Sequence, residues 1–216
     1  MKYKLAYIDE NDGWLLTFYQ TFKNDFDVLK IKVNAESSIN NILETVFSNN
    51  ADGIVTDFLL NEEGDVDFNG NKIVDEVKAY KPHFPLIMLT SYEPEAISQM
   101  DDVNIVNGKD ILDGESNEKI EIFKTKIKAT IERYYSKIKN THTKIERLVK
   151  KKNDIGLEPN EEEELTKLFI LLDELEPEGK EVQTNLIQNE SITKLNEFVR
   201  QTREILEELK KTNQND

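Results

Sequence analysis

Between Tyr3 and Asn107, five short apolar runs alternate with segments whose apolar residues recur every three or four positions. The runs are Tyr3 to Ile8, Phe26 to Val33, "GIVTDFLL" from Gly53, "PLIMLT" from Pro85 and "VNIVN" from Val103. In the second, Leu29, Ile31 and Val33 alternate with Lys30 and Lys32, the period of a half-exposed strand. The fourth is almost wholly apolar, as a strand buried on both faces should be. Between the runs, Trp14 to Phe22, Ile39 to Phe47, Gly70 to Tyr80 and Glu93 to Met100 have helical spacing. Asn11 or Asp12 can cap the first of these, and Pro82 closes the third. This alternation predicts an α/β fold, a five-stranded parallel sheet with helices on both faces. Right-handed crossovers then bring every strand's C-terminal end to one edge, where ligands bind in such sheets.

The rest of the chain follows a different rule. Asn117 to Asn153 contains no proline or glycine, and Ile120, Phe123, Ile127, Ile131, Tyr134, Ile138, Thr141, Ile145 and Leu148 recur every three or four residues. The spacing predicts one helix of ~50 Å at 1.5 Å per residue, with a heptad-like, coiled-coil seam. "GLEPNEEEELTKLFILLDEL" predicts a turn and a new helix capped by Asn160, with glutamates in the first turn where the helix dipole favours them. Glu178 to Gln188 and Ser191 to Lys211 are two further helical segments. The boundaries read as 1–135 for the α/β domain and 136–216 for an all-α extension, a long helix plus a hairpin or bundle.

Charge separates the same regions. Residues 1–116 carry a net −13, residues 117–152 a net +8 and residues 153–216 a net −10, within a chain of 216 residues and net charge −15. An acidic chain repels phosphate backbones and anionic bilayers, so neither nucleic acid nor membrane is the expected partner. The basic helix has no aromatic interleaving for single strands, and its plain reading is packing against the acidic helices that follow. With no cysteine, disulfides, thiolate metal sites and cysteine nucleophiles are excluded. No apolar run reaches the ~20 residues of a membrane span, and the N-terminus lacks a signal-peptide pattern. The expected location is the cytoplasm.

At the predicted strand ends stand Asp9 and Glu10, then Asp57, then Thr90, with Lys109 after the fifth run. Phosphoryl transfer to a carboxylate needs this set. Asp57 would be the acceptor, because carboxylates form acyl phosphates. Three carboxylates repel one another and the incoming phosphoryl group, so a small hard divalent ion is required, Mg²⁺ or alternatively Mn²⁺. Lys109 would neutralise charge on the phosphoryl oxygens and Thr90 would donate a hydrogen bond to one of them.

"LAYIDEND", "GIVTDFLL", "PLIMLTSY" and the lysine of "NIVNGKD", in this order, resemble the receiver domain of bacterial response regulators. The resemblance implies a flavodoxin-like sheet, phosphorylation of Asp57 by a histidine kinase or phosphotransfer protein, and Mg²⁺ held by Asp9 or Glu10, Asp57 and the Leu59 carbonyl. This chain departs from the family pattern on the face that reports phosphorylation. Ser91 follows Thr90 where a smaller residue is usual, Asp110 follows Lys109 where proline is usual, and Val106 stands at the aromatic switch position.

A second site can be spelled nearby. Asp65, Asp67, Asn69, Gly70 and Glu76 fit the pattern of a calcium-binding loop. Ca²⁺ there is disfavoured, because an acidic loop precedes the motif instead of an entering helix, and Lys72 replaces an apolar anchor.

These readings converge on a phosphorylation-dependent switch of a two-component relay. It is a phosphoacceptor and not an enzyme acting on a separate substrate. Its helical extension would dock an unidentified effector protein or form a homodimer, and would not bind DNA. Two alternatives stay open: a pseudo-receiver scaffold independent of phosphorylation, and a phosphate sink that buffers a kinase.

Overall fold

The computed structural model describes residues 2–62, 65–114 and 116–177. The helical segments expected at 178–188 and 191–211 lie outside the described residues. Two compact units make up the chain, Met1–Lys144 and Ile145–Asp216.

In the first unit, strands β1 (Lys4–Asp9), β2 (Asp27–Lys32), β3 (Gly53–Thr56), β4 (Leu86–Thr90) and β5 (Val106–Gly108) alternate with helices α1 (Asp12–Phe22), α2 (Ile39–Ser48), α3 (Gly70–Tyr80) and α4 (Glu93–Gln99). The strands form one parallel sheet in the order β2-β1-β3-β4-β5. This is the doubly wound, flavodoxin-like order, and the predicted fold class holds.

Local chemistry sets the ends of the elements. The Asn11 side chain accepts from Gly13 N and Trp14 N and so caps α1. Ser38 caps α2 by accepting from Asn41 N. One expectation fails at β5. Val103–Ile105 form a 3₁₀ turn, not strand, because the Asp102 side chain accepts from Asn104 N and holds the chain in a turn.

Alternation along the strands divides the core into two faces. Leu5, Tyr7, Val55, Ile87 and Leu89 cluster with Leu15, Phe18 and Phe22 of α1 and with Phe123, Ile127 and Ile131. Ala6, Ile8, Ile54 and Met88 are buried on the opposite face, and Ile42, Val46, Ile73, Val74 and Val77 are the buried residues of α2 and α3. Burying a side chain the size of Phe or Leu contributes about 1.5–3 kcal/mol.

Helix α5 runs from Asn117 to Ile155. Within the first unit three of its lysines are ion-paired: Lys124 and Lys128 reach Asp25 at 2.9 and 3.0 Å, and Lys119 reaches Asp110 at 2.6 Å. Gly156, at φ +85°, ends the helix in the left-handed region where glycine carries no Cβ penalty.

In the second unit, Ile145 and Leu148 of α5 pack with Leu165 and Leu168 of α6 (Pro159–Leu175). Lys151 pairs with Glu161, and Lys152 with Glu162 at 3.4 Å, so basic α5 and acidic α6 complement each other. The cap of α6 is Glu158 and not Asn160. Glu158 and Glu161 form a reciprocal capping box, with Pro159 fitted to the first turn, where no N–H is needed.

Candidate phosphoacceptor site

Register brings the polar strand ends together. Ile8 pairs with Thr56, so Asp9 and Asp57 leave the sheet side by side, and Asp57 N donates to Ile8 O at 2.9 Å. Thr90 pairs with Gly108, so Lys109 leaves beside Thr90. Asp9, Asp57, Thr90 and Lys109 are all buried. Lys109 Nζ lies 2.8 Å from Asp57 Oδ2 and 2.9 Å from Asp9 Oδ2. The other Asp57 oxygen accepts from Phe58 N at 2.7 Å.

Burial pushes the Asp57 carboxyl above the ordinary aspartate value and Asp9 adds to the push, while Lys109 opposes both. Burial alone would lower the Lys109 ammonium, but Asp57 and Asp9 outweigh it and hold the group protonated. Glu10 is half-buried, and burial, with Asp9 and Asp57 close by, pushes its carboxyl up to about 7.

Glu10 also gives the test for a metal. Its Oε2 is buried without a hydrogen-bond partner, and it can offer an oxygen within 4.8 Å of oxygens from Asp9 and Asp57. A buried, unpartnered carboxylate oxygen calls for a donor or a cation. With all three carboxyls ionised against one ammonium, two negative charges remain, the complement of a divalent ion. The oxygen-rich donor set fits Mg²⁺ or Mn²⁺, which Asp9, Glu10 and Asp57 would hold. Leu59, whose carbonyl the resemblance implies as a further ligand, is half-buried two residues beyond Asp57.

Thr90 is oriented for donation. Its Oγ1 accepts from Tyr92 N at 3.1 Å, which leaves the hydroxyl proton available. Next to it lies a cavity of about 250 Å³ lined by Trp14, Thr90, Ser91, Lys109, Glu93 and Asp110 among others.

Two residues here escaped the sequence reading. The Lys109 ammonium sits 5.1 Å from the centre of the Trp14 ring, a cation–π contact that steadies the lysine. Trp14 is half-buried and lines the cavity. Its place in the first turn of the helix after the acidic pair was the available signal. The other is Tyr7, whose hydroxyl donates to Asp9 Oδ2.

The acidic residues of the calcium-type motif stand apart from this group. Among the described residues, Asp9, Glu10 and Asp57 form a group of three acids within metal-binding reach, and Asp65, Asp67 and Glu76 do not. The last three are exposed. Asn69 Oδ1 instead accepts from Leu60 N at 3.1 Å and Asn61 N at 3.2 Å, closing the loop after Asp57. Gly70 opens α3, so Glu76 lies two turns into a helix.

No family model and no curated protein matches the chain. Among solved structures, the BeF3-activated receiver domain of DrrB from Thermotoga maritima is 18% identical, with TM-score 0.45, over 61% of this chain and 99% of that one. The receiver domain of an HD domain-containing protein from Pseudomonas fluorescens is 14% identical, with TM-score 0.47, over 62% of this chain and 90% of that one. A response regulator receiver protein from Sinorhizobium medicae is 15% identical, with TM-score 0.45, over 61% and 95%. What this chain is similar to in fold is the receiver domain of response regulators.

Proposed function

We propose that the protein is a phosphoacceptor switch of a two-component relay. Asp57 takes a phosphoryl group from a phosphohistidine of a kinase or phosphotransfer protein. An Asp57 carboxylate oxygen forms a bond to phosphorus as the donor's P–N bond breaks. The imidazole leaves with the bonding pair and takes up a proton, and an acyl phosphate remains on Asp57. A bound Mg²⁺ supplies charge neutralisation for the crowded carboxylates and the phosphoryl oxygens. Lys109, already shared between Asp57 and Asp9, turns its charge to those oxygens, and Thr90 donates to one of them.

The observation that carries this reading is the Lys109 ammonium bridging two buried aspartates beside an unpartnered Glu10 oxygen. The helical part would pass the state to a protein partner. The pairing of its basic and acidic helices favours packing over nucleic-acid contact. No described helix is long and apolar enough to cross a membrane.

Loading with acetyl phosphate and Mg²⁺, followed by borohydride reduction and peptide mapping, should place the acyl phosphate on Asp57. Label on another residue contradicts the assignment. Loss of cellular function in Asp57→Ala separates a switch from an inert scaffold. Retained function after deletion of residues 150–216 would instead identify a phosphate sink.

A further inference from the structure

Resting on the phosphoacceptor reading, we infer that Tyr7 is a positioning residue: its hydroxyl anchors the Asp9 carboxylate independently of Lys109. Tyr7 and Asp9 are two apart on β1, so their side chains leave the same face of the sheet. Both are fully buried, and the tyrosine hydroxyl donates to Asp9 Oδ2. The ring cannot swing away. It stacks on Phe18 with centroids 4.0 Å apart and planes 12° from parallel, inside the cluster that holds Leu5 and Phe22. Phenylalanine would fill that slot equally well. A hydroxyl in the core is unfavourable unless bonded, and the bond it makes is to Asp9.

The need for such an anchor follows from the sharing of Lys109. Asp9 accepts from three donors: Tyr7 Oη and Lys109 Nζ on Oδ2, the latter at 2.9 Å, and Asn11 N on Oδ1 at 2.9 Å. Lys109 also holds Asp57 at 2.8 Å. When Asp57 carries a phosphoryl group, the ammonium serves the phosphoryl oxygens and Asp9 loses its charged partner. Tyr7 and Asn11 remain. A phenol supplies a donor without a charge, so Asp9 stays in place.

The test uses Tyr7→Phe in the full chain. Mg²⁺ alone is titrated into unphosphorylated protein by calorimetry, with fluorescence of Trp14, the one tryptophan, as a second readout. Groups that orient a metal ligand typically contribute 10–100-fold to affinity, so the Mg²⁺ midpoint should rise by roughly tenfold or more. The loading rate with acetyl phosphate at saturating Mg²⁺ should stay close to wild type, a split that a general loss of packing would not give. An unchanged midpoint overturns the role of Tyr7 and leaves the phosphoacceptor reading intact. A raised midpoint in a protein that never takes a phosphoryl group keeps Tyr7 as the anchor and overturns that reading. Wild-type protein that binds no Mg²⁺ overturns both. Should Tyr7→Phe fold poorly, the wild-type hydroxyl proton decides by NMR. A slowly exchanging resonance that moves on adding Mg²⁺ supports the anchor, and its absence contradicts it.

Discussion

Gly70 stands so close to Asp57 that a Cβ on residue 70 would lie 1.8 Å from the Asp57 carbonyl oxygen. The first turn of α3 is thereby laid against the backbone of Asp57, with Gly70 N donating to Phe58 O at 2.8 Å. The glycine is required by approach, not by a left-handed turn.

Gly70→Ala should therefore destabilise the protein. The obstacle is backbone, which cannot rotate aside, and overpacking of this kind costs about 1–3 kcal/mol or more. Urea unfolding should show that loss together with weakened Mg²⁺ binding. Wild-type stability in the variant would mean that α3 can stand off from Asp57.

Lys109→Met should lower stability at neutral pH by about 3–5 kcal/mol, because it leaves Asp9 and Asp57 buried without their counter-charge. Added Mg²⁺ should restore part of the loss, since the cation would occupy the same acidic cluster. A stability loss that Mg²⁺ does not touch would contradict the charge balance described above.

Asp25 gives a pH signature away from the site. Hydrogen bonds and charge from Lys124 and Lys128 hold its carboxyl below the ordinary 3.8. A lowered folded value means that the unfolded chain binds the proton first as pH falls, so stability declines with it. The advantage of wild type over Asp25→Asn should be full above 3.8 and should vanish as pH drops through the lower folded value. For exposed pairs it amounts to ~0.2–1 kcal/mol each. A difference that persists in strong acid would point to packing instead.

Asn69→Ala should loosen the loop after Asp57, since Leu60 N and Asn61 N lose their shared acceptor. A buried donor left unsatisfied costs about 1–3 kcal/mol. Ca²⁺ titrated into Asp57→Ala protein should give no heat that Asp65→Asn or Asp67→Asn abolishes. A saturable Ca²⁺ signal lost in those variants would restore the second site.

Much of this fold could be read from spacing. Periodicity predicted the five strands in order, and Gly70 and Tyr80 are the observed ends of α3. The misreadings share a cause: local polar chemistry outweighed pattern. Asp102 turned an apolar stretch into 3₁₀ helix, and Glu158 with Glu161 took the cap expected of Asn160. Long-range order along the chain singled out Asp9, Glu10, Asp57, Thr90 and Lys109, because strand ends converge in a parallel sheet. It said little of Tyr7 and Trp14, since aromatic residues at core-like positions look alike until a polar neighbour is in place. Gly70 matched a calcium-loop motif by spelling. Its contact with the Asp57 carbonyl, invisible in one dimension, gives it a different purpose.

The most direct measurement is intact mass after incubation with acetyl phosphate and Mg²⁺, on wild type and Asp57→Ala in parallel. Wild type should gain the mass of one phosphoryl group, and gain none when Mg²⁺ is chelated before loading, while Asp57→Ala should gain nothing. Equal labelling of both proteins, or of neither, would contradict the assignment of Asp57 as the phosphoacceptor.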